Sequence, residues 1–364
     1  MLEISHCRTR QQRLLAEMQR LKLDAVVVTQ IEHVQWLAGP RFAWTFQPAA
    51  ALRADGHLTL VAPNKVVDDA AADEVAAYPG KWLSTMRNDQ RQASTEVLLK
   101  TLTGRTFRRV GVEYSSCGQH LSRGLNAELV DVEPDLYKLR RRKEADELAL
   151  LRTAIEATGA MYARAREIIE PGINELRVFN ELQAVAVEHF GEVLTGTGND
   201  YACNARGGPP RDRDAEAGEL YILDLGPAYR GYFADNCRAI AVDGRPTDEQ
   251  QRAHEQIAKV FPLIEQKVAP GKSCRAIFDE VNTLLAECRG LGIFDHHLGH
   301  GIGLFPHEAP HLNPNWDDVF EVGDVFTAEP GLYGPSLRAG IRLENDYLVT
   351  EHGVELLSDF PLEL

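Results

Sequence analysis

The chain has 364 residues, 44% of them hydrophobic, with 18 prolines and a formal net charge of −15. So acidic a balance excludes general binding to nucleic-acid phosphates, which requires a basic face, and the mixed composition excludes a disordered or fibrous chain. No apolar run approaches the ~18 residues of a membrane helix, and the opening MLEISHCRTR lacks a signal-peptide core, so no membrane partner and a cytoplasmic location are expected.

At roughly 150 residues per domain, the length predicts two domains. Cys7, Cys117, Cys203, Cys237, Cys274 and Cys288 are scattered with no CxxC pair, which argues against a zinc ribbon or a disulfide framework and for reduced thiols. Residues 8–21 read as an amphipathic helix, followed by the strand DAVVV at 24–28. HLTLVAP (57–63) and RRVGVEY (108–114) are further β-rich runs, with helical patterns around 66–76 and 93–102. Helices alternating with short apolar strands predict an α/β domain over 1–137. The basic cluster Lys138, Arg140, Arg141, Arg142 and Lys143 is read as a solvated junction leading into a long helix over 143–165.

The rest of the chain, 138–364, reads as a second domain, and from about 144 onward it carries an internal repeat. PGINELRVFNEL (171–182) aligns with PGKSCRAIFDEV (270–281), each opening with Pro-Gly and a candidate helix cap, Asn174 or Ser273. GELYILDLGPAY (218–229) aligns with GDVFTAEPGLY (323–333), and GYFADN (231–236) with GIRLEN (340–345). The offsets of 99, 105 and 109 residues keep both order and spacing. Each half reads as helices followed by two antiparallel strands, so the two halves predict a pseudo-symmetric α+β domain with its strands in the middle.

The repeat sets Asp224 opposite Glu329 and Asp235 opposite Glu344, all within strand-like apolar runs. A charge buried in a strand is costly unless it is paired or metal-bound, and four at symmetry-related positions point to one central cation site. HHLGHGIGLFPHEAPH (296–311) adds imidazoles on glycine-rich backbone. His300 is the candidate ligand and His296 and His307 the candidate outer partners, while His297 and His311 are read as structural. Carboxylates with one imidazole form a hard ligand set that suits Mn²⁺, Co²⁺ or Zn²⁺. Two such ions ~3.5–4 Å apart would acidify a shared water and polarise a carbonyl, a hydrolytic chemistry. TGTGND (195–200) lacks the lysine of a phosphate loop.

These motifs resemble the pita-bread metallopeptidases: prolidase, aminopeptidase P, methionine aminopeptidase and their relative creatinase. LDLGPAYRGYFADNCR carries the Asp-x10-Asp pair, HLGHGIGLFPHEAP a histidine with a second seven residues on, and AEPGLY and GIRLENDYLV the two glutamates. The resemblance covers nearly the whole chain and is most specific over 144–364. It implies a pita-bread catalytic domain behind a smaller creatinase-like N-terminal domain, in the prolidase/aminopeptidase P branch. It also implies two divalent ions, Mn²⁺ foremost, held by Asp224, Asp235, His300, Glu329 and Glu344. Glu329 would pass a proton from water to the leaving amine, His307 would steady the scissile carbonyl, and His296 would line a proline-side pocket. Tyr333 and Arg342 would form a polar network beside the metals, with Arg342 able to engage a substrate carboxylate. The implied substrate is a short proline-containing peptide and the implied assembly a homodimer.

The chain departs from that pattern at two places. Seventeen residues before Asp224, where the family has a substrate-holding histidine, stands Gly207, with Arg206 next door able to take that part. Two residues after Asp235, where the family has threonine, stands Cys237. Three readings follow: an Xaa-Pro peptidase, a metal-dependent enzyme of the same fold acting on a small non-peptide C–N substrate, and a non-catalytic binding module.

Overall fold

Two compact units divide the chain at residues 1–140 and 141–364, and the structure, a computed structural model, describes residues 2–198 and 200–364. The first unit is built on a six-stranded mixed sheet in the order Glu74–Tyr78, Leu58–Pro63, Ala49–Arg53, Ala25–Val28, Arg109–Val112, Glu128–Asp131. The strands Ala25–Val28, Ala49–Arg53 and Leu58–Pro63 are buried at every residue, as expected for strands covered on both faces. Arg109–Val112 runs parallel to both of its neighbours, so the α/β expectation holds here.

The helical pattern around 66–76 does not form a helix. Its end is the strand Glu74–Tyr78, parallel to Leu58–Pro63. Tertiary hydrogen bonds capture this backbone: the Ala71 amide donates to Ala38 O (2.8 Å), Gln11 Nε2 donates to Ala71 O (2.7 Å), and the Asp73 carboxylate accepts from the Leu58 amide (2.7 Å). Those bonds outweigh the weak local propensity of an alanine- and aspartate-rich run.

The basic cluster is not a solvated junction either. Arg140, Arg141 and Lys143 are buried, while Lys138 and Arg142 are exposed. Arg141 forms a two-point ion pair with Asp324 (2.9 and 2.6 Å) and Lys143 meets Glu308 (3.2 Å). Buried cations of this kind persist only when paired, and their partners lie far along the chain, out of reach of local charge patterning.

In the second unit the repeat becomes two helix-and-strand layers, each with its own core. Ala145–Ile168 and Glu175–Phe190 cover one face of the antiparallel pair Leu220–Leu225 and Asn236–Ala241. Asp248–Ala258, Val260–Lys267 and Cys274–Leu285 cover the sheet that holds Val325–Ala328 and Asn345–Thr350. The expected caps form in both halves: the Asn174 side chain accepts from the Leu176 amide and the Ser273 hydroxyl from the Ala276 amide. Asn236 pairs with Leu225 in one half and Asn345 with Ala328 in the other, so the register is repeated along with the sequence. The halves are stitched where they meet: the Glu344 amide donates to Cys237 O (2.9 Å), and Asn236 Nδ2 donates to Glu344 O (2.6 Å).

Candidate metal centre

The repeat delivers four carboxylates to one place, at the ends of the strands rather than inside them. Asp224 is the last but one residue of Leu220–Leu225, Glu329 follows Val325–Ala328, and Asp235 and Glu344 each precede the asparagine that opens a strand. Only Asp224 therefore lies within a strand as expected. At a strand end the backbone leaves the ladder, and the side chain can turn into a cavity.

That cavity measures about 430 Å³, within the range of small-molecule sites. Asp224, Asp235, His296, His300, His307, Glu329, Tyr333, Arg342 and Glu344 all line it. Ligand atoms of Asp224, Asp235 and Glu344 lie within 4.8 Å of one another, as do those of His300, Glu329 and Glu344. The two triads share Glu344, and His300 Nε2 stands 3.5 Å from Asp235 and 3.4 Å from Glu329. His300 Nδ1 donates to Gly301 O (3.0 Å), which leaves the Nε2 lone pair facing the carboxylates, the tautomer that a metal-ligating histidine needs.

Electrostatics favour a cation. Burial, reinforced by Asp235, Asp224 and Glu329, pushes the Glu344 carboxyl well above its ordinary range, and Glu344 Oε2 has no hydrogen-bond partner among the described residues. Burial and Asp224 push Asp235 well up too. Burial also raises Asp224, even though Arg342 opposes it. Like charges this close cannot all ionise unaided, and bound cations would remove the conflict. Glu329 behaves differently: burial works to raise it, but the hydrogen bond and charge of His297, with His300 and His296, bring it down to about 2. Burial lowers His296 and His300 to about 4, so both imidazoles are neutral lone-pair donors at pH 7.

The outer residues form a connected set. The His307 ring stacks on His300 (3.7 Å between centroids). Tyr333 OH lies 3.0 Å from His296 Nε2 and accepts from Arg342 Nη1 (3.2 Å). Arg342 Nη2 donates to Asp224 (2.7 Å) and to Asp200.

Two cavity residues escaped the sequence reading. His297, read as structural, lies 3.0 Å from Glu329 Oε1, and its adjacency to His296 was the available signal. Asp200 sits in the TGTGND run, which by sequence reads only as a phosphate loop lacking its lysine. Its carboxylate accepts from the Gly208 amide (2.6 Å) and from Arg342. A Cβ at Gly207 would stand 2.7 Å from Asp200 Cγ, so Asp200 occupies the space that a side chain at 207 would need. Cys237 is buried and directs its thiol to Arg342 O (3.5 Å).

Fold and site together define a hydrolase with a buried carboxylate–imidazole centre between two related halves. Residues 149–351 match the model of metallopeptidase family M24, and residues 10–142 match the creatinase/prolidase N-terminal domain. The chain belongs to metallopeptidase family M24, which sets aside the reading as a non-catalytic module. It is 26% identical over 354 residues to the uncharacterized peptidase YqhT of Bacillus subtilis, covering 95% of this chain and 96% of that one. Its fold matches that of an Xaa-Pro dipeptidase from Bacillus anthracis (TM-score 0.83, 23% identity, 98% and 99% of the two chains). It also matches that of an X-Pro aminopeptidase from Thermotoga maritima (TM-score 0.80, 21% identity, 95% and 98%).

Proposed function

We infer that the protein is a two-metal Xaa-Pro peptidase that cleaves the bond preceding proline in short peptides. The observation that carries this reading is Glu344, shared by two ligand triads and left with an unpartnered buried oxygen. Asp224, Asp235 and Glu344 would hold one ion, and Asp235, His300, Glu329 and Glu344 the other, with Mn²⁺ the first choice and Co²⁺ or Zn²⁺ alternatives. When bound, the ions supply an acidified water and a polarised carbonyl.

The chain's own groups do the rest. Glu329, kept ionised by His297, accepts a proton from the attacking water and delivers it to the leaving nitrogen. His307, stacked on His300, donates to the carbonyl oxygen as negative charge develops there. Tyr333 and Arg342 fix the proline-side wall through His296 and Asp224. The proline preference draws its support from the likeness of the fold to an Xaa-Pro dipeptidase and an X-Pro aminopeptidase.

A panel of Xaa-Pro dipeptides, Xaa-Pro-led peptides and matched Xaa-Ala controls, run with Mn²⁺- and Co²⁺-loaded protein, tests the reading. Release of the N-terminal residue from proline-containing peptides is expected. Equal turnover of the alanine controls would remove the proline assignment. Turnover of small amides alone would favour the non-peptide C–N reading, which the Asp200 carboxylate beside Gly207 otherwise motivates.

A further inference from the structure

Arg238 lies in the strand Asn236–Ala241 and is fully buried. Nε donates to Pro361 O (2.9 Å), Nη1 to Cys237 O (2.9 Å) and Glu344 O, and Nη2 to Asn345 Oδ1 (3.0 Å) and Phe360 O (3.2 Å). All five of its N–H groups therefore have acceptors, and none of these is a carboxylate oxygen. A buried cation ordinarily persists because an anion answers it, as Asp324 answers Arg141. What Arg238 offers instead is geometry, since only a planar five-donor fork can hold that many oxygens at once.

The oxygens belong to three stretches of chain. Cys237 follows Asp235 by two residues, and Glu344 is itself the carboxylate shared by both ligand triads. The third stretch, 358–362, is seated on both halves of the repeat. The Phe360 ring fills the space above Gly159, where a Cβ would stand 2.5 Å from its Cε1, and Gly159 lies on the helix Ala145–Ile168 of the first half. Two residues on, Leu362 O accepts from His254 Nε2 (2.6 Å), on the helix Asp248–Ala258 of the second half. The guanidinium carbon lies 5.7 Å from the Tyr162 ring centroid and 5.8 Å from that of Phe360, which adds cation–π attraction to the in-plane bonds.

We propose that Arg238 is a positioning residue for the metal centre: locked in place by residues 358–362, it fixes the Glu344 backbone against Cys237 and so sets the spacing of the carboxylates that the two halves contribute. This deepens the two-metal reading and rests on it. Arg238 touches neither an ion nor the substrate, and its effect travels through main chain. Cys237 O accepts both from the Glu344 amide (2.9 Å) and from Arg238, while Glu344 O accepts from the same guanidinium. Glu344 is thus held on both sides of its Cα, and a ligand held within about 0.5 Å of its working position binds metal without further ordering.

The test measures Mn²⁺ affinity by calorimetry on the metal-free full chain, well below the melting temperature of each variant, for wild type, Arg238→Lys, Phe360→Ala and Glu113→Ala. Arg238→Lys keeps the charge but not the fork, and should weaken Mn²⁺ binding by about tenfold to a hundredfold, the usual effect of losing a group that supports a metal ligand. Phe360→Ala loosens the seat of the guanidinium and should weaken binding in the same direction by less. Glu113→Ala removes a buried carboxylate of the first unit and should bind as wild type does, which separates positioning from stability at large. Wild-type affinity in Arg238→Lys would overturn the proposal, and so would a loss of equal size in Glu113→Ala. Should Arg238→Lys not fold, Phe360→Ala decides alone: weakened binding supports the proposal and unchanged binding refutes it. A wild type that binds no Mn²⁺ removes the two-metal reading and this proposal with it. One that binds Mn²⁺ yet cleaves no Xaa-Pro peptide removes only the peptidase reading, and the affinities still decide the role of Arg238.

Discussion

Glu113 in the first unit and Glu344 in the second are each 1% exposed, yet their surroundings are opposite. Glu113 accepts from the Thr29 amide (2.7 Å) and hydroxyl (3.0 Å), from Ser116 Oγ (2.7 Å) and from His33 Nδ1 (2.6 Å). The Arg140 guanidinium can only donate, so its bond to His33 Nε2 (3.0 Å) makes Nδ1 the nitrogen that gives its proton to Glu113. Burial pushes Glu113 up, but these bonds prevail and hold it below the usual carboxylate range. Glu344 has a backbone pinned by Cys237, Asn236 and Arg238, and a head that points at other carboxylates with one oxygen unpartnered. A buried carboxylate with all its bonds made is scaffold. One whose backbone is fixed and whose charge is left unanswered is waiting for a cation.

Substituting the two residues should therefore produce opposite phenotypes. Glu344→Gln is expected to lower kcat/KM on the best Xaa-Pro substrate by at least about a thousandfold, since metal chemistry supplies several kcal/mol of the rate enhancement. The metal-free variant should melt no lower than metal-free wild type, because a carboxyl crowded by like charges has been replaced by a neutral group of the same shape. A clear drop in metal-free Tm would place Glu344 with Glu113 and break the contrast. Glu113→Ala should instead cost about 3–5 kcal/mol of stability by chemical denaturation, the usual result of removing one member of a buried charged network, with kcat per folded molecule unchanged. The pH dependence follows from the sign of the shift. The folded-state pKa of Glu113 lies below its unfolded value, so its contribution is complete above the ordinary glutamate range of ~4.3 and is lost as pH falls through the folded pKa. Glu113→Ala should flatten that acid limb.

Metal addition probes the contrast at an intermediate size. At a free Mn²⁺ concentration one hundred times Kd, wild type should gain about 2.7 kcal/mol from linkage, read as a rise in Tm. Glu113→Ala should keep that increment and Glu344→Gln should lose most of it. Equal increments in the two variants would show that Glu344 is not a ligand.

What the sequence disclosed follows the same division. The repeat made Asp224, Asp235, Glu329 and Glu344 legible because symmetry related them before any contact was known, and the register of Asn236 and Asn345 repeats with them. His300 was legible from its glycine-rich run. The Glu113 network was invisible, since Thr29, His33, Ser116 and Arg140 are ordinary polar residues until the sheet brings them together. The same reason hid the Arg141–Asp324 pair and turned an expected solvated junction into a buried one. Local propensity failed at 66–76, where backbone bonds to Ala38 and Gln11 decide the conformation.

Asp200 is the case that sharpens the comparison most, because it combines both settings. It lines the metal cavity as Glu344 does, yet its bonds are made as those of Glu113 are, from the Gly208 amide and Arg342. If satisfied bonds rather than location mark a scaffold carboxylate, Asp200→Asn should keep the full metal-induced rise in Tm. The packing partner of Asp200 gives a second handle. Gly207 has a φ of +157° and no room for a Cβ beside Asp200, so Gly207→Ala should cost about 1–3 kcal/mol, the usual range for overpacking. Because the clash is with one side chain, Asp200→Ala should recover most of that loss, and a double-mutant cycle would read the coupling directly. An additive cycle would mean that backbone conformation alone requires glycine at 207. A coupled one would mean that Asp200 took the space a side chain at 207 would otherwise fill, and with it the task of holding Arg342 against the metal centre.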